Sequence, residues 1–272
     1  MGRELSDNKG ERVFSLSSDR VSGFFQRDQV ARDVASTWWP SVESRSDVQS
    51  AVEESKMFGV LVGLYSGSPQ LGMFECEADD LFHPRTRQVY IVACSGQLGG
   101  LWNPYGWAPS LINHQRISGD SWRAQRDLHR LTHRIAQANQ RGDQDQARAL
   151  KQSRRDQSRR HADVIREATL LTPLIGNSRS LSDFWPDAAT GVGECCAPKL
   201  ICWAAQLGIH PIGLAEFQVT YHYRSRSPRT PRAELITQSS TSEYDLSFYA
   251  PCRPRCRPLL PFLINGELES NS

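Results

Sequence analysis

Apolar side chains fall along this chain in short runs whose spacing changes twice. Between residues 19 and 42, Phe24, Phe25, Val30, Val34, Trp38 and Trp39 recur at roughly helical intervals before Pro40, which predicts a short helix. Residues 57–65 form a near-continuous β-type run, 66–69 have turn chemistry and 71–74 resume the pattern, so a hairpin is expected. Residues 88–94 predict another buried strand, followed by the glycine-broken stretch 95–100 and an aromatic, proline-bearing loop at 102–109.

The spacing then becomes helical for some fifty residues. In 121–139, Trp122, Leu128, Leu131, Ile135 and Ala138 stand three or four apart, the stripe of an amphipathic helix. Gly142 and Asp143 mark a turn, and a second helical run over 145–171 carries Ala147, Leu150, Val164, Ile165, Ala168 and Leu171 before Pro173. Residues 151–161 contain no apolar side chain, so that part of the helix must project into water or meet a polar partner. Residues 191–208 read as a loop and a short helix, with Pro198 at its first position and Gly208 past its end, and 212–223 as a strand. The stretch 224–232 is a basic Ser/Pro loop, and 249–263 is a Pro- and Cys-rich turn.

This order predicts one α/β domain with a mixed sheet, interrupted by a long basic antiparallel helical hairpin. The expected divisions are a polar leader and short helix (1–55), the first part of the domain (56–112), the inserted hairpin (113–172), and the second part with the cysteine motifs (173–272).

Composition sharpens this picture in three ways. At 39% hydrophobic and 23% charged residues the chain is globular, and no apolar run approaches the roughly 18–20 residues of a membrane span. The net charge of +2 conceals an asymmetry: 113–172 hold 13 Arg and Lys against 7 Asp and Glu, a local charge of +6. Arg3, Glu4, Asp7, Lys9 and Glu11 occupy the place where an export signal needs an apolar core, so cytoplasmic residence and reduced thiols are expected. Met1-Gly2-Arg3-Glu4-Leu5-Ser6 fits the short myristoylation pattern, which acts only where the transferase is present.

Several motifs then carry a resemblance. The segments 56–62 (KMFGVLV), 94–100 (CSGQLGG) with its Trp-Pro-Gly loop, 178–181 (SRSL), 193–200 (GECCAPKL), 214–217 (LAEF) and 251–263 (PCRPRCRPLLPFL) together resemble the long N-terminal extension of certain RluA-type RNA pseudouridine synthases. An Arg-rich helical hairpin lies between the second and third motifs there too. The resemblance covers residue 56 to the C-terminus and implies association with RNA modification, with rRNA or tRNA as the partner and a pseudouridine synthase chain as a possible companion. The synthase's H-R-L-D motif is absent from these residues. The nearest string, His129-Arg130-Leu131-Thr132, has Thr in place of the Asp and lies in the hairpin, which argues against uridine isomerisation by these residues.

Two groups of side chains point to chemistry. Cys252-x-x-x-Cys256 has a spacing compatible with zinc, and Cys195 or Cys196 at a helix start can supply a third thiolate, though not both to one ion. Buried thiols without metal, a structural zinc and a working hydrolytic site all remain open. The order of strands, Cys-bearing helix start and Pro-Cys-x-x-x-Cys is similar to the zinc-dependent nucleobase deaminases, giving a deaminase-like hydrolase as the alternative function. The chain departs from that signature by one extra residue in the second motif and by Ala197 or Pro198 at the Glu position. Glu194 or Glu216 can substitute only if the fold brings one to the site.

On the hairpin, Arg154, Arg155, Arg159 and Arg160 fall in adjacent pairs about one turn apart and can contact successive RNA phosphates. The competing readings are a solvated face with Asp156 and Asp163 as ion-pair partners, and a protein-interaction surface. His129 and His133 are expected to be surface residues rather than metal ligands. Trp102 and Trp107 are expected to cap the core rather than to stack on a base. The chain is expected to be a non-catalytic RNA-associated accessory module.

Overall fold

The computed structural model describes residues 28–76, 87–117, 119–222, 243–252 and 255–266. Residues 1–27, with the Met1–Ser6 pattern, and the basic loop at 224–232 lie outside them.

The described elements are α1 (Asp28–Trp38), a 3-10 turn (Trp39–Ser41), α2 (Ser46–Glu53), β1 (Phe58–Tyr65), β2 (Phe74–Glu75) and β3 (Arg87–Cys94). They continue with α3 (Gly119–Gln140), α4 (Gln144–Ala168), β4 (Leu170–Leu171), β5 (Arg179–Ser180) and α5 (Leu181–Phe184). The last are α6 (Cys196–Leu207), β6 (His210–His222), β7 (Glu243–Tyr249) and α7 (Leu260–Asn265). The chain is therefore α/β, but the sheet is not mixed. Its order is β2-β3-β1-β6-β7, and every described pairing is antiparallel. β3 and β6 run parallel to each other, and β1 is threaded between them. The crossover through α6 thus joins two parallel strands that never touch, a split β-α-β arrangement.

The expected hairpin of 57–65 with 71–74 is also corrected. β1 is the central strand and takes β3 and β6 as neighbours, while β2 is a two-residue edge piece pairing with β3. The alternation of a strand fixes its faces but not its partners.

Strand alternation explains the layers. Phe58, Val60 and Val62 of β1 join Val92, Phe217 and Val219 on one face, under Trp38 and Trp39 of the α1 segment and Val48 and Ala51 of α2. The segment assigned to the leader thus belongs partly to the core. Trp107 joins this layer and packs edge-on against Trp38, with ring centroids 5.4 Å apart, so it caps the core. On the other face Leu61, Val89, Ile91 and Ala93 meet Cys196, Leu200, Ile201 and Ala204 of α6, together with Leu260, Phe262 and Leu263 from the α7 region. Gly59 and Gly63 stand on that same face of β1. A Cβ at Gly59 would stand 2.7 Å from the Cys196 Cβ, and one at Gly63 would stand 2.3 Å from Ile209 Cγ2. Gly59 lets α6 lie directly on the central strand, and Gly63 leaves room for Ile209 and His210, where the chain passes from α6 into β6.

Helices α3 and α4, joined by residues 141–143, form an arm that leaves and re-enters the domain at one place. Ile112 and Thr169 form a β-bridge, and the Asn113 N–H donates to Ala168 O at 2.8 Å. Leu131, Ala138, Ala147 and Leu150 pack the two helices together, and the Asp143 side chain caps α4 by accepting from the Gln146 N–H at 3.0 Å. Arg166 pairs with Asp163 and donates to Ala188 O at 2.9 Å, fastening the arm's root.

Gly59→Ala forces a methyl group against a Cβ that belongs to a helix backbone, so α6 must move. We expect a loss of about 1–3 kcal/mol, read as a lowered thermal unfolding midpoint by circular dichroism.

Candidate metal centre and basic arm

The start of α6 decides which cysteine is available. Cys195 is the N-cap, with extended backbone, and Cys196 is the first helical residue. Successive residues there diverge. Cys196 turns onto the sheet, where its thiol donates to Met57 O at 3.3 Å and is fully buried. Cys196 is therefore withdrawn as a metal ligand, because its sulfur is enclosed by the ends of β1 and β3, and burial holds its pKa well above the ordinary thiol value.

Cys195 faces the C-terminal turn, and its sulfur lies with those of Cys252 and Cys256 inside a 4.8 Å cluster. Cys195 Sγ and Cys252 Sγ are 3.9 Å apart, and Cys252 Sγ and Cys256 Sγ are 3.2 Å apart. Sulfurs bound tetrahedrally to one zinc at about 2.3 Å stand about 3.8 Å apart, so the three thiols fit one thiophilic divalent ion after a shift of tenths of an ångström. The turn that delivers the last two is closed by the Cys256 and Arg257 N–H groups, both bonding Cys252 O at 3.1 Å. The thiol pKa of Cys195 is lowered by its hydrogen bonding with Cys256 and, after the opposing effect of burial, with Cys252, and Arg255 adds favourable charge. That of Cys256 is raised by its role as donor to Cys195.

The carboxylate beside this cluster is Glu216. It projects from β6 toward α6 at 4% exposure, and its Oε1 accepts the Ala197 N–H at 2.8 Å. Burial pushes its pKa up to about 7 against the lowering effect of that bond. Its charge is felt at Cys195, Cys196 and Cys256, raising each thiol, yet its oxygens are not among the groups in the 4.8 Å cluster. Glu194 is directed elsewhere: its Oε1 accepts from Ser110 Oγ and from the Leu111 N–H, each at 2.9 Å. Lys199 has no counterpart in the sequence reading. It is 1% exposed, and its Nζ donates to Cys94 O at 3.0 Å and Gly96 O at 3.1 Å, tying α6 to the end of β3. A lysine among the apolar residues of 197–205 was the signal for it. Among the described residues no group of three potential ligands other than Cys195, Cys252 and Cys256 comes together, and His129 and His133 are exposed on the arm.

On the arm, Arg154, Arg155, Arg159 and Arg160 are all exposed. The carboxylates expected to neutralise them are engaged otherwise: Asp156 accepts from Gln152 Nε2 at 3.0 Å, and Asp163 pairs with Arg166. Among the described residues none of the four arginines has a carboxylate within ion-pair distance. Arg154, Arg155 and Arg159 line a groove with Leu128, His129, Thr132 and Ser158, and Arg154 Nη1 donates to Thr132 Oγ1 at 3.3 Å.

The seven thiols should differ sharply in reactivity. In metal-free protein at about pH 8, iodoacetamide should modify Cys195 first, since only the ionised sulfur attacks and its pKa is lowered. Cys94, pushed up to about 11, and Cys202, pushed up to about 12, should stay unmodified until the chain unfolds. Peptide mass spectrometry over a time course reads the order.

Among the described residues no helix is long and apolar enough to cross a membrane. No family model, no curated protein and no solved structure matches this chain.

Proposed function

We propose that this chain is a cytoplasmic, non-catalytic RNA-associated module of the kind resembled by its motifs, the N-terminal extension of RluA-type pseudouridine synthases. It contacts rRNA or tRNA through the arm and works beside a synthase that performs the isomerisation. The observation that carries this reading is the set of four exposed arginines on α4 without carboxylate partners among the described residues. Unneutralised guanidinium groups about one turn apart suit successive phosphates, and they bind with little sequence preference because they meet the backbone rather than base edges. A protein-interaction surface would gain less from such uncompensated charge.

In the same reading, Cys195, Cys252 and Cys256 hold a zinc ion as thiolates. Zinc suits three soft sulfurs, and it would fasten the start of α6 to the turn ahead of α7. The reading remains non-catalytic because, with Cys195 as the ligand, Ala197 occupies the position of the deaminase Glu.

Replacing Arg154, Arg155, Arg159 and Arg160 together by Glu should weaken binding of a structured rRNA or tRNA fragment by at least about 100-fold, and should flatten the slope of log K against log salt by about 3. Fluorescence anisotropy across a salt series measures both, and unchanged binding would remove the arm from the interface. Elemental analysis should give about one zinc per chain, lost in Cys256→Ala and retained in Cys196→Ala. A content below about a tenth of an equivalent would eliminate the zinc reading.

A further inference from the structure

Three sulfurs meet where two remote parts of the chain come together, and their spacings are unequal. Cys195 caps the start of α6, and Cys252 and Cys256 belong to the turn that leads into α7. Cys252 Sγ stands 3.2 Å from Cys256 Sγ and 3.9 Å from Cys195 Sγ. The Cys256 N–H donates to Cys252 O at 3.1 Å, which closes one helical turn around the nearer pair. Such a turn sets the two Cα atoms about 6 Å apart, inside the range that a disulfide bridges. Joining this pair draws the sulfurs together by about 1 Å within a single turn. Joining Cys195 to Cys252 needs about 2 Å and a movement of α6 against the turn. The nearer pair is also reachable from outside: Cys252 is half-buried and Cys256 fully buried, so an oxidant that arrives at Cys252 leaves it with a second, protected thiol at contact distance.

We propose that Cys252 and Cys256 are a modification site, a dithiol that a hydroperoxide converts to a disulfide, and that closing this bond expels the metal from the three-sulfur centre. The expulsion rests on the zinc reading, whereas the pair itself stands on the sulfur distances. In the first step the Cys252 thiolate attacks one peroxide oxygen, the O–O bond breaks, and the departing alkoxide or hydroxide takes a proton to become an alcohol or water. In the second the Cys256 thiolate attacks the sulfenic sulfur, the S–O bond breaks, and the released hydroxide takes another proton to become water. Each sulfur gives up one electron and the peroxide gains two. A centre of three thiolates is then left with Cys195 alone, and a single sulfur does not retain zinc. The start of α6 is thereby unfastened from the turn ahead of α7.

The test treats the full chain with hydrogen peroxide, follows zinc with a chromophoric chelator and maps the sulfurs by peptide mass spectrometry. Trypsin cuts after Lys199, Arg232 and Arg255, so Cys195, Cys252 and Cys256 fall in three different peptides and each possible bridge has its own mass. One disulfide between Cys252 and Cys256 should form for each zinc released, and dithiothreitol should reverse it. Its formation should be at least about tenfold faster than oxidation of Cys76, a half-buried thiol outside the cluster. Cys195→Ser should form the same disulfide, and if that variant does not fold, the wild-type map still decides the pairing. A dominant bridge between Cys195 and Cys252, or zinc leaving while all three thiols stay reduced, would overturn the proposal. Zinc retained under excess peroxide with no disulfide would overturn it and leave the zinc reading standing. The disulfide forming in protein that holds no zinc would keep the modification site and remove both the zinc reading and the expulsion.

Discussion

The contact on which the rest depends is the direct seating of α6 on β1. Gly59 presents no side chain on that face of the central strand, so the helix approaches until the Cys196 Cβ occupies the space a Gly59 methyl would need. That approach fixes the phase of the helix. With Cys196 pressed to the sheet, Cys195 falls at the N-cap on the side of the C-terminal turn, and the Ala197 N–H falls over Glu216. The buried ammonium of Lys199 completes the seat by reaching the carbonyls that end β3. A charge so deep is tolerable only because oxygen acceptors meet it. Moving the helix by one position would place a different thiol at the cluster and a different peptide group over the carboxylate.

The same contact reconciles two opposing demands on Glu216. Its burial disfavours the charged form, and its pKa is raised accordingly. The helix N-terminus supplies a peptide dipole and an N–H that favour the charged form. Glu216 is thus held between two opposing influences, and its charge in turn resists the ionisation of the nearby thiols. A divalent ion among those sulfurs would shift both balances toward the ionised forms, so metal loading and proton release are linked in this part of the molecule.

Much of this was legible in the sequence, and the gaps have physical reasons. The arm was readable because Leu131, Ala138, Ala147 and Leu150 keep helical spacing whatever they pack against. β1, β3 and β6 were readable as buried runs, but their neighbours were not, because alternation records a face and not a partner. α2 was missed, since Val48, Ala51 and Val52 are its only apolar residues and too few to set a period. The cysteine spacing disclosed a candidate metal site. Choosing Cys195 over Cys196 required the helix phase, which Gly59 sets from a distant part of the chain. Glu194 and Glu216 were equal candidates until the fold turned Glu194 toward Ser110 and Leu111 and placed Glu216 on the inward face of β6.

The bridge between Ile112 and Thr169 gives the arm a property of its own. Entering and leaving at one point, the two helices project from the domain like a ruler, and α4 alone spans 25 residues, about 37 Å at the rise of an α-helix. Adding seven residues to each helix would carry the tip outward by about 10 Å and return every side chain to nearly the same azimuth, whereas adding one to each would swing the outer faces by about 100°. The domain below would sense neither change. Distance and direction along the arm are therefore separable variables, and lineages of such a module can alter reach in steps of two turns without rebuilding the sheet.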